Sequence, residues 1–157
     1  MNRQRIILFL ALAIAIALLG MGPGVAPAQA VCATPAEAGT WVNYNPNSTG
    51  IARIDIRFQC QDQIINGQPY PAGAPYYLRL WQDCQPIDCE WGEHGAQRYD
   101  NGWIRTTIYQ GYATRTVWAK VYDSGWLRVW VWTDYANASQ VDYATDDWFR
   151  ASLGTRS

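Results

Sequence analysis

The sequence predicts an all-β fold, an antiparallel barrel of about eight strands stapled by disulfides, with a β-sandwich as the alternative. Past residue 40, apolar side chains alternate with a period of two, turn residues separate the alternating segments, and the four cysteines form an even set. Sequential antiparallel strands that leave one face exposed usually close into a barrel or fold into a sandwich. We favour a barrel whose last strand pairs with its first.

The first thirty of the 157 residues have the anatomy of an export signal. Two arginines precede an apolar run over residues 6–19, and a small-residue cleavage site ends at Ala30. We therefore predict a secretory signal peptide over 1–30 and one barrel domain over 31–157. The apolar run is shorter than the about 20 residues that a membrane span needs, so the predicted location is secreted or periplasmic.

The cysteines all lie in the mature part, and an even number in an exported chain indicates disulfides. Three pairings are possible, and the four residues between Cys84 and Cys89 favour a loop closed by its own bridge, which would leave Cys32 to pair with Cys60. One histidine and a single C-x4-C spacing do not supply a zinc ligand set, so no metal site is predicted, and no cofactor.

The clearest strands are 116–122 and 126–132, joined by a three-residue loop that ends at Gly125. This loop sets the register and places Trp118 opposite Trp130. Further strands are predicted over 39–44, 51–60, 76–84, 90–99, 103–109 and 141–150.

Aliphatic side chains share one face of these strands and are expected to fill the interior. They are Ile54, Ile56, Leu78, Leu80, Ile104, Ile108, Val117, Val121, Leu127 and Val129. If Tyr44 lies opposite Ile51, Cys60 comes opposite residue 35 and within reach of Cys32.

The other face carries aromatic side chains with cations between them, and the chain has nine Trp and ten Tyr. The candidate binding residues are Trp118, Lys120, Tyr122, Trp126, Arg128, Trp130 and Trp132, continued by Trp81 and Arg79 if their strand adjoins. A flat indole suits the C–H-rich face of a sugar, and exposed contiguous apolar area indicates contact with a partner. The sequence thus predicts a secreted, non-catalytic binding module for a glycan or another extracellular surface. The alternative is an inert structural domain, in which the aromatics only stabilise the sheet.

The charge pattern excludes several partners. Removal of residues 1–30 changes the formal net charge from −1 to −3 and leaves no basic patch for nucleic acid. Arginines at Arg79, Arg105 and Arg128 in the outward rows oppose stable insertion of the mature chain into a membrane. The chain lacks a Gly-x-Ser-x-Gly nucleophile motif and a glycine-rich phosphate loop.

A hydrolase using Glu90 and Glu93 is a further alternative. Paired carboxylates about 5–9 Å apart can cleave glycosides, and His94, Asp83 and Asp88 lie near this pair in sequence. The other interpretation of the same residues is the solvated end of a hairpin.

Gly39-Thr40-Trp41 resembles the Gly-x-Trp start of calycin barrels, the lipocalin and avidin group. In those proteins the Trp plugs one end of an eight-stranded barrel, so the resemblance implies a carrier of a small apolar ligand in the lumen. Residues 84–92 and 111–116 resemble segments of bacterial secreted β domains, a resemblance that implies no activity.

Overall fold

The computed structural model describes residues 32–152, so the predicted signal peptide and its cleavage site lie outside the described residues. The described chain forms ten strands: β1 (Gly39–Asn43), β2 (Ile51–Phe58), β3 (Gln63–Ile65), β4 (Gln68–Tyr70), β5 (Tyr76–Gln82), β6 (Cys89–Arg98), β7 (Ile104–Tyr109), β8 (Ala113–Val121), β9 (Leu127–Tyr135) and β10 (Tyr143–Ala151). Over the same residues, no helix has the length and apolarity that crossing a membrane would require.

Eight strands close into an antiparallel barrel in the order β1-β10-β9-β8-β7-β6-β5-β2, and β2 pairs back onto β1. The predicted pairing of the last strand with the first is confirmed, because Val42 lies opposite Arg150. The predicted register of the first hairpin is also confirmed, since Trp41 pairs with Ile54. The sheet closes on itself, so the β-sandwich alternative does not form.

Two short strands lie outside the barrel and were not among the predicted strands. β3 and β4 form a separate two-stranded ribbon. Asn66 and Gly67, which the sequence marks only as a turn, connect them with φ values of 53° and 76°. Two successive left-handed residues form the tight turn that matches the twist of a hairpin.

The central hairpin has the predicted register. Trp118 lies opposite Trp130, and Gly125 adopts the left-handed φ of 79° that the three-residue loop requires. Because side chains alternate across a strand, this register sends the valines of β8 and β9 inward and the tryptophans outward.

The interior is filled by the side chains that the alternation predicts. Of the ten predicted interior residues, all but Val121 are buried. Val121 is half-buried and packs against the core because it ends β8 beside the exposed hairpin loop. A bulge between Ile51 and Arg53 turns Ile51 inward, where strict alternation would have placed Ala52.

Both predicted disulfides are present, Cys32–Cys60 with a Cα–Cα distance of 5.7 Å and Cys84–Cys89 with 5.5 Å. Such bonds persist in an oxidising, extracellular-type environment. The first bond ties the segment before β1 to the end of β2, and we call this end of the barrel the stapled end.

A partly buried network lies at the stapled end, where Trp41 and Glu37 are buried and Arg98 is exposed. Trp41 Nε1 donates to the Glu37 carbonyl oxygen at 2.9 Å, and Arg98 pairs with the Glu37 carboxylate at 2.6 Å. Arg98 Nε also donates to the Tyr76 hydroxyl at 2.9 Å. The arginine at this end therefore has both an anionic partner and a neutral one.

Candidate ligand-binding face

The outward side chains of four neighbouring strands form a checkerboard of rings and charges. In the row that crosses β7, β8, β9 and β10, Arg105, Trp118, Trp130 and Asp146 lie side by side. One pleat along, Lys120 lies opposite Arg128, which lies opposite Trp148. We call this surface the Trp face; its members are Trp103, Trp118, Arg128, Trp130, Trp132, Asp146 and Trp148.

A shallow groove of about 270 Å³ runs across the Trp face. Its lining residues are Asn101, Trp103, Trp118, Arg128 and Trp130. The three indoles are half-buried, which means that each ring is supported by neighbours and still presents surface to solvent. The groove therefore offers flat apolar surface beside a charged group.

An ion pair lies beside the groove. Arg128 Nε donates to Asp146 Oδ1 at 2.8 Å, and Arg128 Nη2 donates to Asp146 Oδ2. These hydrogen bonds lower the pKa of Asp146, so the carboxylate stays ionised at neutral pH. The guanidinium carbon lies 6.0 Å from the ring of Trp103 and 5.9 Å from that of Trp148, at the outer limit of cation–π contact.

Neighbouring rings fix the orientation of the groove indoles. Trp130 and Trp132 stack with an interplanar angle of 9° and centroids 6.5 Å apart, and Tyr99 packs on Trp118 at 5.2 Å. The guanidinium carbon of Arg105 lies 5.2 Å from the ring centroid of Trp118, so this indole is held by a cation as well as by Tyr99.

Three predicted site residues support the rim rather than line the groove. Lys120 Nζ donates to the Asn101 carbonyl oxygen at 2.8 Å and so holds the β6–β7 turn in place. Tyr122 lies between Trp103 and Trp148 at centroid distances of 6.5 and 5.3 Å. Trp126 makes an edge contact with Tyr44 at 5.1 Å.

Trp81 and Arg79 do not continue the Trp face. Both lie on β5, which pairs with β2 and β6, so β6 and β7 separate them from β8. They belong to a second outward patch, which we call the Arg ladder: Arg53, Asp55, Arg57, Tyr77, Arg79, Trp81, Glu90 and Glu93.

The carboxylates of the hydrolase alternative lie in the Arg ladder. Glu90 pairs with Arg79 at 2.6 Å and Glu93 pairs with Arg57 at 2.8 Å. Hydrogen bonds from these arginines lower the pKa of both carboxyls, whereas a general acid for glycoside cleavage needs a raised pKa. The only histidine near them, His94, has its Nε2 at 2.8 Å from the Trp91 carbonyl oxygen. This geometry gives the hydrolase alternative no support.

Four residues of the site were not among the predicted site residues: Asn101, Trp103, Asp146 and Trp148. The alternation of β7 already placed Trp103 outward, but nothing in the sequence fixed the register of β10 against β9. The signal that could have found Trp148 and Asp146 is the alternation within residues 143–151 itself.

Buried apolar side chains fill the core of the barrel interior. Ile56, Leu78 and Phe149 are among the fully or nearly fully buried side chains that fill it. This packing gives no support to a small apolar ligand in the lumen.

Cys32, Cys60 and Asp62 place three possible ligand atoms within 4.8 Å of one another. Both sulfurs are committed to the disulfide, and a metal would require the thiolates.

Comparison of the chain with protein-family models, with curated proteins and with solved structures finds no match. The case for a function therefore rests on the geometry and chemistry of the chain itself.

Proposed function

We propose that the chain is a secreted, non-catalytic binding module that holds a glycan on its Trp face. The observation that carries this proposal is the groove that Trp103, Trp118 and Trp130 line together with Arg128. Planar apolar rings with a few directional polar groups between them are the arrangement that ligand sites commonly use.

The chemistry of the groove suits a sugar ring. An indole face covers the axial C–H groups of a pyranose at little entropic cost, because Trp has only two side-chain torsions. Arg128 donates two of its five N–H groups to Asp146 and also interacts with the Tyr122 hydroxyl, and the guanidinium keeps further N–H groups that can reach ring hydroxyls at the groove. Asp146 and Asn101 supply acceptors at the edge of the same groove.

The site is preorganised, which favours affinity. Trp118 and Trp130 lie on adjacent strands in direct register and are held by Tyr99 and Trp132. Side chains that are already ordered lose little freedom when a ligand binds.

The proposed location agrees with the disulfides. Two bonds in a domain of this size are typical of chains that work in an oxidising compartment. Together with the predicted signal peptide, they favour export.

The test is a panel of soluble glycans titrated into the mature protein, with intrinsic Trp fluorescence and calorimetry as readouts. The double variant Trp118→Ala/Trp130→Ala should weaken binding at least tenfold, which corresponds to about 1.4 kcal/mol. Trp81→Ala is the matched control, since it removes an outward indole from the Arg ladder and should leave affinity unchanged. Binding that survives the double variant, or the absence of any binding glycan, would show that the Trp face is a structural ladder.

A further inference from the structure

The end of the barrel opposite the stapled end contains a buried cation. We call this end the mouth; β1 ends there at Asn43, β5 ends at Gln82 and β8 begins at Ala113. Arg115 lies on the inward row of β8, between Ile108 of β7 and Thr133 of β9. Only 3% of its surface is exposed.

The hydrogen bonds of Arg115 are few and long. Nη1 lies 3.5 Å from Gln82 Oε1, Nη2 lies 3.4 Å from the Tyr112 hydroxyl, and Nε has no partner. No carboxylate of residues 32–152 comes within 4.0 Å of this guanidinium. The ring of Trp91 lies 4.0 Å from the guanidinium carbon and is the closest favourable electrostatic contact.

The buried guanidinium of Arg115 lacks an anionic partner and a full set of hydrogen bonds. Arginine keeps its proton at any ordinary pH, and a buried charge is costly unless it is paired and hydrogen-bonded. A cation–π contact offsets part of that cost but satisfies no N–H donor. Ring stacking by Trp91 therefore leaves the Nε donor of Arg115 unmet.

The two ends of the barrel differ in this respect. At the stapled end, Arg98 has the Glu37 carboxylate and the Tyr76 hydroxyl as partners at 2.6 and 2.9 Å. At the mouth, Arg115 is more deeply buried and has neither a carboxylate nor a short hydrogen bond. An anion from solution would pair with Arg115 as the Glu37 carboxylate pairs with Arg98.

We propose that the mouth binds a small monovalent carboxylate through Arg115. The free Nε–H and an adjacent Nη–H form one side of the guanidinium fork, which matches the two oxygens of a carboxylate. Trp91 covers the face of the guanidinium and leaves its edge for the ligand. This site is separate from the Trp face and does not depend on it.

The surroundings set the size and charge of the ligand. Tyr112 is 55% exposed and lies over the guanidinium with its ring centroid 5.8 Å away, so its movement would open the route of entry. Asp147 lies on the inward row of β10 and accepts a hydrogen bond at 3.1 Å from Ser48 Oγ, which belongs to the β1–β2 connection at the same end of the barrel. Its charge favours a monoanion over a dianion.

The experiment is a titration of the disulfide-bonded mature protein with sodium formate, with bulky sodium gluconate holding the ionic strength constant. Thermal unfolding is followed by circular dichroism, and affinity is measured by calorimetry. Formate should raise the unfolding midpoint by about 5 °C at ten times its Kd. Arg115→Met should abolish this rise. Arg105→Met is the matched control, because Arg105 also has an unpartnered Nε but faces outward, and it should respond like wild type.

Each other outcome counts against the proposal. A wild-type midpoint that does not depend on formate would mean that water alone completes Arg115, and an unchanged response in Arg115→Met would place the anion elsewhere. Chloride acting as strongly as formate would overturn the carboxylate assignment. If Arg115→Met does not fold, Arg115→Lys keeps the charge and loses the fork, and its formate affinity should fall at least fivefold; equal affinity would contradict the proposed contact.

Discussion

The Trp face and the Arg ladder are built from the same kinds of residue on the same barrel, yet they differ in what they leave uncovered. On the Arg ladder, each arginine has a carboxylate partner, in the pairs Arg53–Asp55, Arg57–Glu93 and Arg79–Glu90. Arg53 and Arg57 also lie over the rings of Trp81 and Tyr77 at 4.2 and 4.1 Å. The planar surfaces of this patch are therefore capped by the chain's own cations.

On the Trp face, indoles outnumber charges, because a single partly exposed ion pair, Arg128–Asp146, accompanies several Trp residues. Arg128 and Asp146 neutralise each other, and the guanidinium carbon lies 6.0 Å from the ring of Trp103 and 5.9 Å from that of Trp148. The indoles consequently keep surface that a ligand can use. The distance between guanidinium groups and rings, rather than the number of rings, distinguishes the Arg ladder, whose rings are covered, from the Trp face, whose indoles keep exposed surface.

The largest expected effect comes from truncating core leucines beneath the Trp face and beneath the Arg ladder, which tests whether damage under one surface affects the other. Leu127, next to Arg128, and Leu80, between Arg79 and Trp81, are both fully buried. Leu127→Ala and Leu80→Ala should each lower the free energy of unfolding by about 2–5 kcal/mol, measured by urea denaturation. Only Leu127→Ala should also weaken glycan binding, since its cavity lies beneath the Trp face. A comparable loss of binding in Leu80→Ala would contradict the functional separation of the two surfaces.

A smaller effect is expected from the ion pair of the Trp face. Asp146→Asn should lower the free energy of unfolding at pH 7 by about 0.5–1 kcal/mol, because solvent screens a pair that is more than a third exposed. The folded-state pKa of Asp146 lies below its unfolded value of about 3.9, so the contribution is present above that value and is lost as the pH falls through the folded pKa.

Unfolding curves of wild type and Asp146→Asn at several pH values measure this difference. The two proteins should converge in strong acid. Glu93→Gln on the Arg ladder should show the same sign, since Arg57 lowers the pKa of Glu93 in the same way. A gap between wild type and Asp146→Asn that widens as the pH falls would contradict the assigned pairing.

The smallest effect concerns salt. Raising the ionic strength from about 0.05 to about 1 M shortens the screening length from over 10 Å to about 3 Å. The exposed pairs of the Arg ladder should lose their contribution, so the stability difference between wild type and Arg57→Met should shrink. Binding of a neutral glycan to the Trp face should be nearly independent of salt, as calorimetry can measure. A steep decrease of that affinity with salt would indicate that charge, rather than ring contact, holds the ligand.

A short connection between two strands lets the sequence predict their register. The three-residue loop ending at Gly125 determined the β8–β9 register, and with it the adjacency of Trp118 and Trp130. Between β9 and β10 the connection over 136–142 is too long to fix a register, so the pairing of Asp146 with Trp130 and its bond to Arg128 could not be derived.

The sequence favoured closure of β1 on β10 but left a β-sandwich as the alternative, and the tertiary structure decided between them. The strand alternation, the disulfide pairing and the side of the sheet on which the Trp residues lie were predicted from the sequence alone. These follow from local rules, because side chains alternate with a period of two and a chain can bridge only cysteines that its register brings together. Only the tertiary structure decided that Trp81 lies apart from Trp118, that Asp146 neutralises Arg128, and that Arg115 is buried at the mouth without a carboxylate. Those properties depend on which residues of strands distant in sequence come into contact when the sheet closes. The alternation along a single strand does not determine those contacts.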